Sequence, residues 1–140
     1  MFRYFRLKLR SGLLAGMLLA AVGYAAEAPG PVAIGSINEL MLKIIQPGSD
    51  AVFYISRNPP QSDADWEQLE ATVLMLAESA NLLMLPGYAR DQLQWINESK
   101  LLRDASAAAY NAARTKNLSA LEELNNDLYS SCESCHEAYR

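Results

Sequence analysis

The chain has 140 residues, with 12 Lys and Arg against 16 Asp and Glu and a formal net charge of −4. An acidic balance excludes a nucleic-acid binder, whose footprint is basic, and the length suits one domain around one core. With only two Cys and one His, the chain cannot assemble a four-ligand zinc site from thiols and imidazoles.

Arg3, Arg6, Lys8 and Arg10 form a basic start with no acidic residue before Glu27, and an apolar run follows from Leu13 to Val22. Small residues then gather at Gly23, Ala25, Ala26 and Ala28. This is the layout of a secretory signal peptide, residues 1–25, with cleavage expected after Ala25. The alternative, an uncleaved anchor, is disfavoured because the run is shorter than the roughly 20 residues a spanning helix needs. Removing the segment leaves eight basic against sixteen acidic residues, a formal −8. That surface repels nucleic acid and favours partners with basic docking surfaces.

Residues 26–140 form the expected domain. After a lead bearing Pro29, Gly30, Pro31 and Gly35, Ser36 is placed to cap a first helix. Its stripe is Ile37, Leu40, Met41, Ile44, Ile45, Ala51, Val52 and Ile55, at helical spacing. Pro47 lies off the stripe, so a kink is expected there, not a break. Asn58-Pro59-Pro60 ends the element. A second helix is predicted from Ser62 or Asp63, carrying Trp66, Leu69, Val73, Leu76, Ala77, Ala80, Leu83 and Met84, until Pro86-Gly87 stops it. A third is predicted over residues 91–116, with Leu93, Trp95, Leu101, Leu102, Ala105, Ala109 and Ala112 on its stripe. The fourth opens with Ser119 and Glu122, a capping-box pair, and continues through Leu121, Leu124, Leu128, Cys132, Cys135 and Tyr139. No run alternates with period two. Four helices with short connections pack most simply as an all-α, antiparallel up-down-up-down four-helix bundle.

The end of that fourth stripe carries the chemistry. Cys132-Glu133-Ser134-Cys135-His136 holds every Cys and His of the chain. C-x-x-C-H is the c-type haem attachment signature, in which two thiols add across two vinyl groups and the imidazole reaches the iron. Chance placement of three such residues in this pattern is a coincidence of roughly one in ten thousand. A bare C-x-x-C redox pair is the competing reading, but such a pair belongs at a helix N-terminus near a βαβ pattern. Both Cys continue the apolar stripe, so the haem edge should face the bundle interior, with His136 rotated about 100° onward. Covalent haem is fitted outside the cytoplasm, which agrees with export to the periplasm.

A four-helix chain of this size that ends Cys132-Glu133-Ser134-Cys135-His136-Glu137-Ala138-Tyr139-Arg140 resembles cytochrome c′, the class II c-type cytochromes. The resemblance implies one covalent haem c held by Cys132 and Cys135, with His136 as axial iron ligand. Relatives either leave the opposite face of the iron open or ligate it with Met from the first helix, and many dimerise through the first two helices, so a homodimer is an expectation here. In such a bundle the end of the fourth helix lies level with the start of the first. Of Met41, Met75 and Met84, only Met41 combines that level with the inward stripe and the family's position, making it the expected sixth ligand; core packing is its other role. Five-coordinate relatives place an Arg one turn earlier, where this chain has Ile37 followed by Asn38.

Trp95, Tyr88 and Leu85 are expected to wall the haem pocket, with Tyr139 and Arg140 near its edge. The expected function is that of an exported, periplasmic monohaem cytochrome carrying single electrons between periplasmic electron-transfer proteins, with no enzyme activity. The alternative is a five-coordinate haem protein that binds NO or CO. No distal His or acid–base pair accompanies the iron to support catalysis.

Overall fold

A computed structural model describes residues 30–139, and the expected signal segment lies outside these residues. The described chain is all-helical, and none of its helices is long and apolar enough to cross a membrane. Four helical stretches follow one another, the first widening into a π turn along its length and the last divided at Leu124.

The first stretch is α1 (Ile37–Leu40), a π-helical turn (Met41–Ile45) and α2 (Gln46–Phe53), running on without a break. Ser36 caps α1 by accepting from the Glu39 amide at 3.2 Å, while the Glu39 carboxylate accepts from the Ser36 amide at 3.0 Å. This reciprocal box satisfies two backbone donors that the helix cannot. The expected kink takes a particular form. Pro47 has no N–H, and its ring would crowd the carbonyl four residues back in an ordinary helix. The turn before it widens instead, so that the Gln46 amide bonds to the Met41 carbonyl five residues earlier. Ile55, on the expected stripe, lies in the turns after α2 and is buried.

Ser62 caps α3 (Asp63–Leu82) with a second box, in which Asp65 plays the acidic partner. The helix ends before Met84, which sits in the following turn, and not at Pro86-Gly87 as the sequence suggested. Gly87 makes that turn with φ of 101°, a backbone setting that costs any other residue. α4 (Gln94–Arg114) starts three residues later than predicted. Asp91 accepts from the amides of Leu93 and Trp95 and turns the chain into the helix. Leu93 and Leu101, placed on the inward stripe by sequence, are exposed. α4 closes with Lys116 in the left-handed region, the Asn117 amide bonding to the Ala112 carbonyl and the Lys116 amide to that of Ala113. That is the Schellman pattern.

The fourth stretch corrects the predicted start. Asn117, not Ser119, caps α5 (Leu118–Glu123), its side-chain oxygen accepting from the Ala120 amide at 3.1 Å. Ser119 lies inside the helix and bonds to Glu123. After Leu124 the chain continues as α6 (Asn125–Tyr139).

The core runs through all four stretches: Val52, Val73, Leu76, Ala80, Leu83, Ala109, Leu121 and Leu128 are almost wholly buried. Gly48 lets α2 approach α3 closely, since a Cβ there would meet Leu76 at 3.0 Å. α3 packs on α4, and α4 packs on α6. Lys116 pairs with Asp63 at 2.6 Å where the end of α4 meets the start of α3. Far from that contact, the Trp95 indole donates to the Leu83 carbonyl at 2.6 Å, and the Tyr139 hydroxyl donates to Asp91.

Candidate functional site

α6 sets the thiols by its periodicity. Leu128 and Ser131 are buried, which turns that face inward and brings Cys132 and Cys135 to its edge, both half-buried and both free. His136 follows one residue on, exposed, as a rotation of about 100° requires. Ser131 donates its hydroxyl to the Leu128 carbonyl at 2.7 Å.

Opposite α6 stand α1, the π turn and α2. Between them opens a cleft of about 580 Å³, within the size range of cofactor sites. Cys132, Cys135 and His136 line one side, and Ile37, Met41 and Ile45 line the other. Trp95 and Tyr139 border it at the end where α1 begins, and Phe53 where α2 finishes. The wall is mainly apolar. A small inner chamber of about 40 Å³ behind the thiols is bounded by Leu83, Leu102 and Glu98. Met41 is half-buried and touches both spaces.

The two thiols are held in their protonated form. Burial pushes the Cys132 thiol up, with a hydrogen bond from Ser131 opposing it. Cys135 is pushed up to about 11, first by burial, then by the charges of Glu98 and Cys132. A redox-active C-x-x-C pair needs the reverse, a lowered thiol at a helix N-terminus. Cys132 sits well inside α6. The geometry therefore disfavours the thioredoxin-like reading.

The surrounding contacts fix the motif's neighbours. The Ser134 hydroxyl donates to Glu98 at 2.6 Å and ties α6 to α4 at a point between the two Cys. Trp95 and Tyr139 meet edge to face, ring centroids 5.0 Å apart at 78°. The hydrogen bond to Asp91 is the main cause that raises the Tyr139 hydroxyl to about 12.

The four residues expected to carry the chemistry, Cys132, Cys135, His136 and Met41, border this one cleft. Trp95 and Tyr139 border it too, while Arg140 lies outside the described residues. Tyr88 and Leu85 do not: they line a separate groove of about 360 Å³ with Val32, Ile34 and Leu82. Both lie in the turn between α3 and α4. Met75 is exposed, and Met84 lines neither the cleft nor the chamber.

Sequence reading missed Ser49, Asp50 and Arg90 on the cleft and Glu98 in the chamber. Ser49 continues the Met41–Ile45 stripe by one more step of four, a signal that Pro47 obscured. It is buried, and its hydroxyl has no partner among the described residues. Ser79, Ser99, Ser106 and Ser131, the other buried serines, each bond to a carbonyl of their own helix. Comparisons with protein families, with curated proteins and with solved structures gave no match, so the reading of this cleft rests on its own residues.

Proposed function

We propose that the chain is an exported monohaem c-type cytochrome that carries single electrons, built as an antiparallel up-down-up-down bundle of the cytochrome c′ type. One observation carries the reading: two thiols at C-x-x-C spacing, the adjoining imidazole and a thioether from another helix all border the same apolar cleft. The donor set fits a haem c. Soft thioether and imidazole donors suit iron, and the apolar walls suit a macrocycle. When bound, the haem supplies a one-electron couple at its iron.

The chain's residues have distinct tasks in this reading. Cys132 and Cys135 are present as S–H groups, the form consumed when a thiol adds across a vinyl: an S–C bond forms and the hydrogen passes to the neighbouring carbon. His136 would hold the iron through an imidazole nitrogen. Met41 would hold it through its thioether sulfur, a donor that favours the softer ferrous state. Ile37 and Ile45 would keep water from the Met41 side of the cleft. The bundle topology is supported by contacts at both ends, Lys116 with Asp63 at one and Tyr139 with Asp91 at the other. The acidic surface favours encounter with basic redox partners in the periplasm.

The test is a spectrum of the protein exported in a host that attaches haem. A covalent haem, six-coordinate and low-spin, supports the proposal. Covalent haem that is high-spin and binds CO without mutation would leave Met41 a packing residue and replace electron transfer with NO or CO binding.

A further inference from the structure

The cleft is electrically uneven along its length. Arg90 lies at the end where α1 begins and Asp50 near the end of α2. Asn38, level with the first of these, stands 12 residues before Asp50, about 18 Å along a helix at 1.5 Å per residue. Of the basic side chains among the described residues, Lys43, Arg103 and Lys116 are in ion pairs, and Arg57 and Arg114 lie over tyrosine rings. Arg90 and Lys100 have none of these engagements, and of the two only Arg90 borders the cleft, where it is exposed. Its neighbour Asp91 forms no ion pair with it among the described residues: that carboxylate accepts from the Tyr139 hydroxyl and the amides of Leu93 and Trp95. The same three bonds pin the backbone that carries Arg90.

We infer that Arg90 is the counter-ion for the carboxylate edge of the cleft's occupant and so sets which way that occupant lies. The inference rests on the haem reading. A haem carries its vinyl groups on one edge and its two propionates on the opposite one. Thioethers at Cys132 and Cys135 hold the vinyl edge against α6, so the propionates project away from α6 into the cleft. Two ends are open to them. Beside Asp50 they would meet like charge; beside Arg90 they meet a free guanidinium whose planar fork matches a carboxylate with two parallel hydrogen bonds. Charge selects the Arg90 end, and Asn38 adds an amide there. Arg90 is a positioning residue in this account.

The experiment uses the full exported protein carrying its haem. Resonance Raman propionate-bending bands and the reduction potential are measured for the wild type, Arg90→Gln, Arg90→Lys and Asp50→Asn. Arg90→Gln should shift the bands and lower the potential, because losing a nearby positive charge favours the ferric state; the drop should shrink as salt rises. Arg90→Lys should restore most of the potential but leave the bands shifted, since it returns the charge without the fork. Asp50→Asn should leave the bands where they are. Bands unmoved in Arg90→Gln, even with a lowered potential, would mean a distant charge and overturn the contact. Bands that move in Asp50→Asn would put the propionates at the other end. Failure of the haem reading looks different: the wild type itself would then carry no covalent haem, and both conclusions would fall together.

Discussion

Cys135 is half-buried beside Glu98, and both facts resist the loss of its proton. A thiol whose folded pKa is raised contributes stability that is complete below its ordinary value near 9 and drains as pH rises through about 11. The haem-free chain should therefore lose stability over that window, as read by denaturant midpoints at stepped pH. Its thiols should also alkylate slowly at pH 8, where little thiolate exists. Rapid alkylation at that pH would contradict the burial described here.

Met41 has two roles to separate, ligation and packing. In the haem-loaded protein, Met41→Ala should lower the reduction potential and open the iron to CO. Met84→Ala should do neither. Truncating a wholly buried Met costs about 2–5 kcal/mol; Met41 is half-buried, so its packing share should lie at or below the bottom of that range. CO titration with potentiometry distinguishes the roles, because lost packing alone creates no gas-binding iron.

At this scale the grouping of Cys132, Cys135 and His136 on one cleft was legible, since they lie within five residues of each other. Arg90 and Glu98 were not. Arg90 sits in a turn whose path depends on Asp91 and Tyr139 meeting across the fold, and Glu98 reads as one more solvent-facing charge until Ser134 bonds to it. Contacts 36 and 48 residues apart leave no local pattern.

Among the elements, the start of α5 separates two readings of the same sequence. Ser119 and Glu122 have the spacing of a capping box, yet Asn117 is the residue that accepts the first free amide. The Schellman close of α4 decides it: with Lys116 left-handed, the chain turns one residue later into the new helix, and Asn117 occupies the cap. Asn117→Ala should cost about 1 kcal/mol in denaturant unfolding, while Ser119→Ala, an exposed position inside the helix, should change stability by less than about 0.5 kcal/mol.

The π turn offers a second test at this scale. Pro47→Ala restores an N–H and removes the ring, so Met41–Ile45 gains the option of ordinary helical register. Closing that register would rotate Met41 relative to Ser49 and turn its sulfur away from the cleft's axis. The variant should be at least as stable as the parent by thermal melting but should show a larger high-spin fraction when loaded with haem. A stability drop with an unchanged spectrum would mean the widened turn has no part in presenting Met41. The sequence located this irregularity correctly at Pro47 but not its form, because a kink and a π turn share the same proline signal and differ only in which carbonyl the Gln46 amide finds.

For the molecule as a whole, the helical class and most of the core were legible from apolar spacing, and Ser36 and Ser62 marked two helix starts by their chemistry. Leu93 and Leu101 broke the pattern: Leu93 lies before α4 begins, and Leu101 lies off the buried face of α4, which carries Trp95, Leu102, Ala109 and Ala112 with Ser99 and Ser106. Periodicity read from apolar residues alone misses the two serines that mark that face. The separate groove at Tyr88 and Leu85 was likewise hidden, since both lie in the irregular turn between α3 and α4, where helical spacing does not apply.

The central claim is that the cleft between α6 and the first helical stretch holds one covalent haem. Its most direct measurement is the pyridine haemochrome spectrum of the exported, purified protein, taken after extraction with acidified organic solvent. The account predicts one haem per chain that survives extraction, with the spectrum of two saturated vinyl positions, falling to a single thioether or to none in Cys132→Ala. Haem that leaves with the solvent, or a chain correctly exported beside working attachment machinery that carries none, would contradict it.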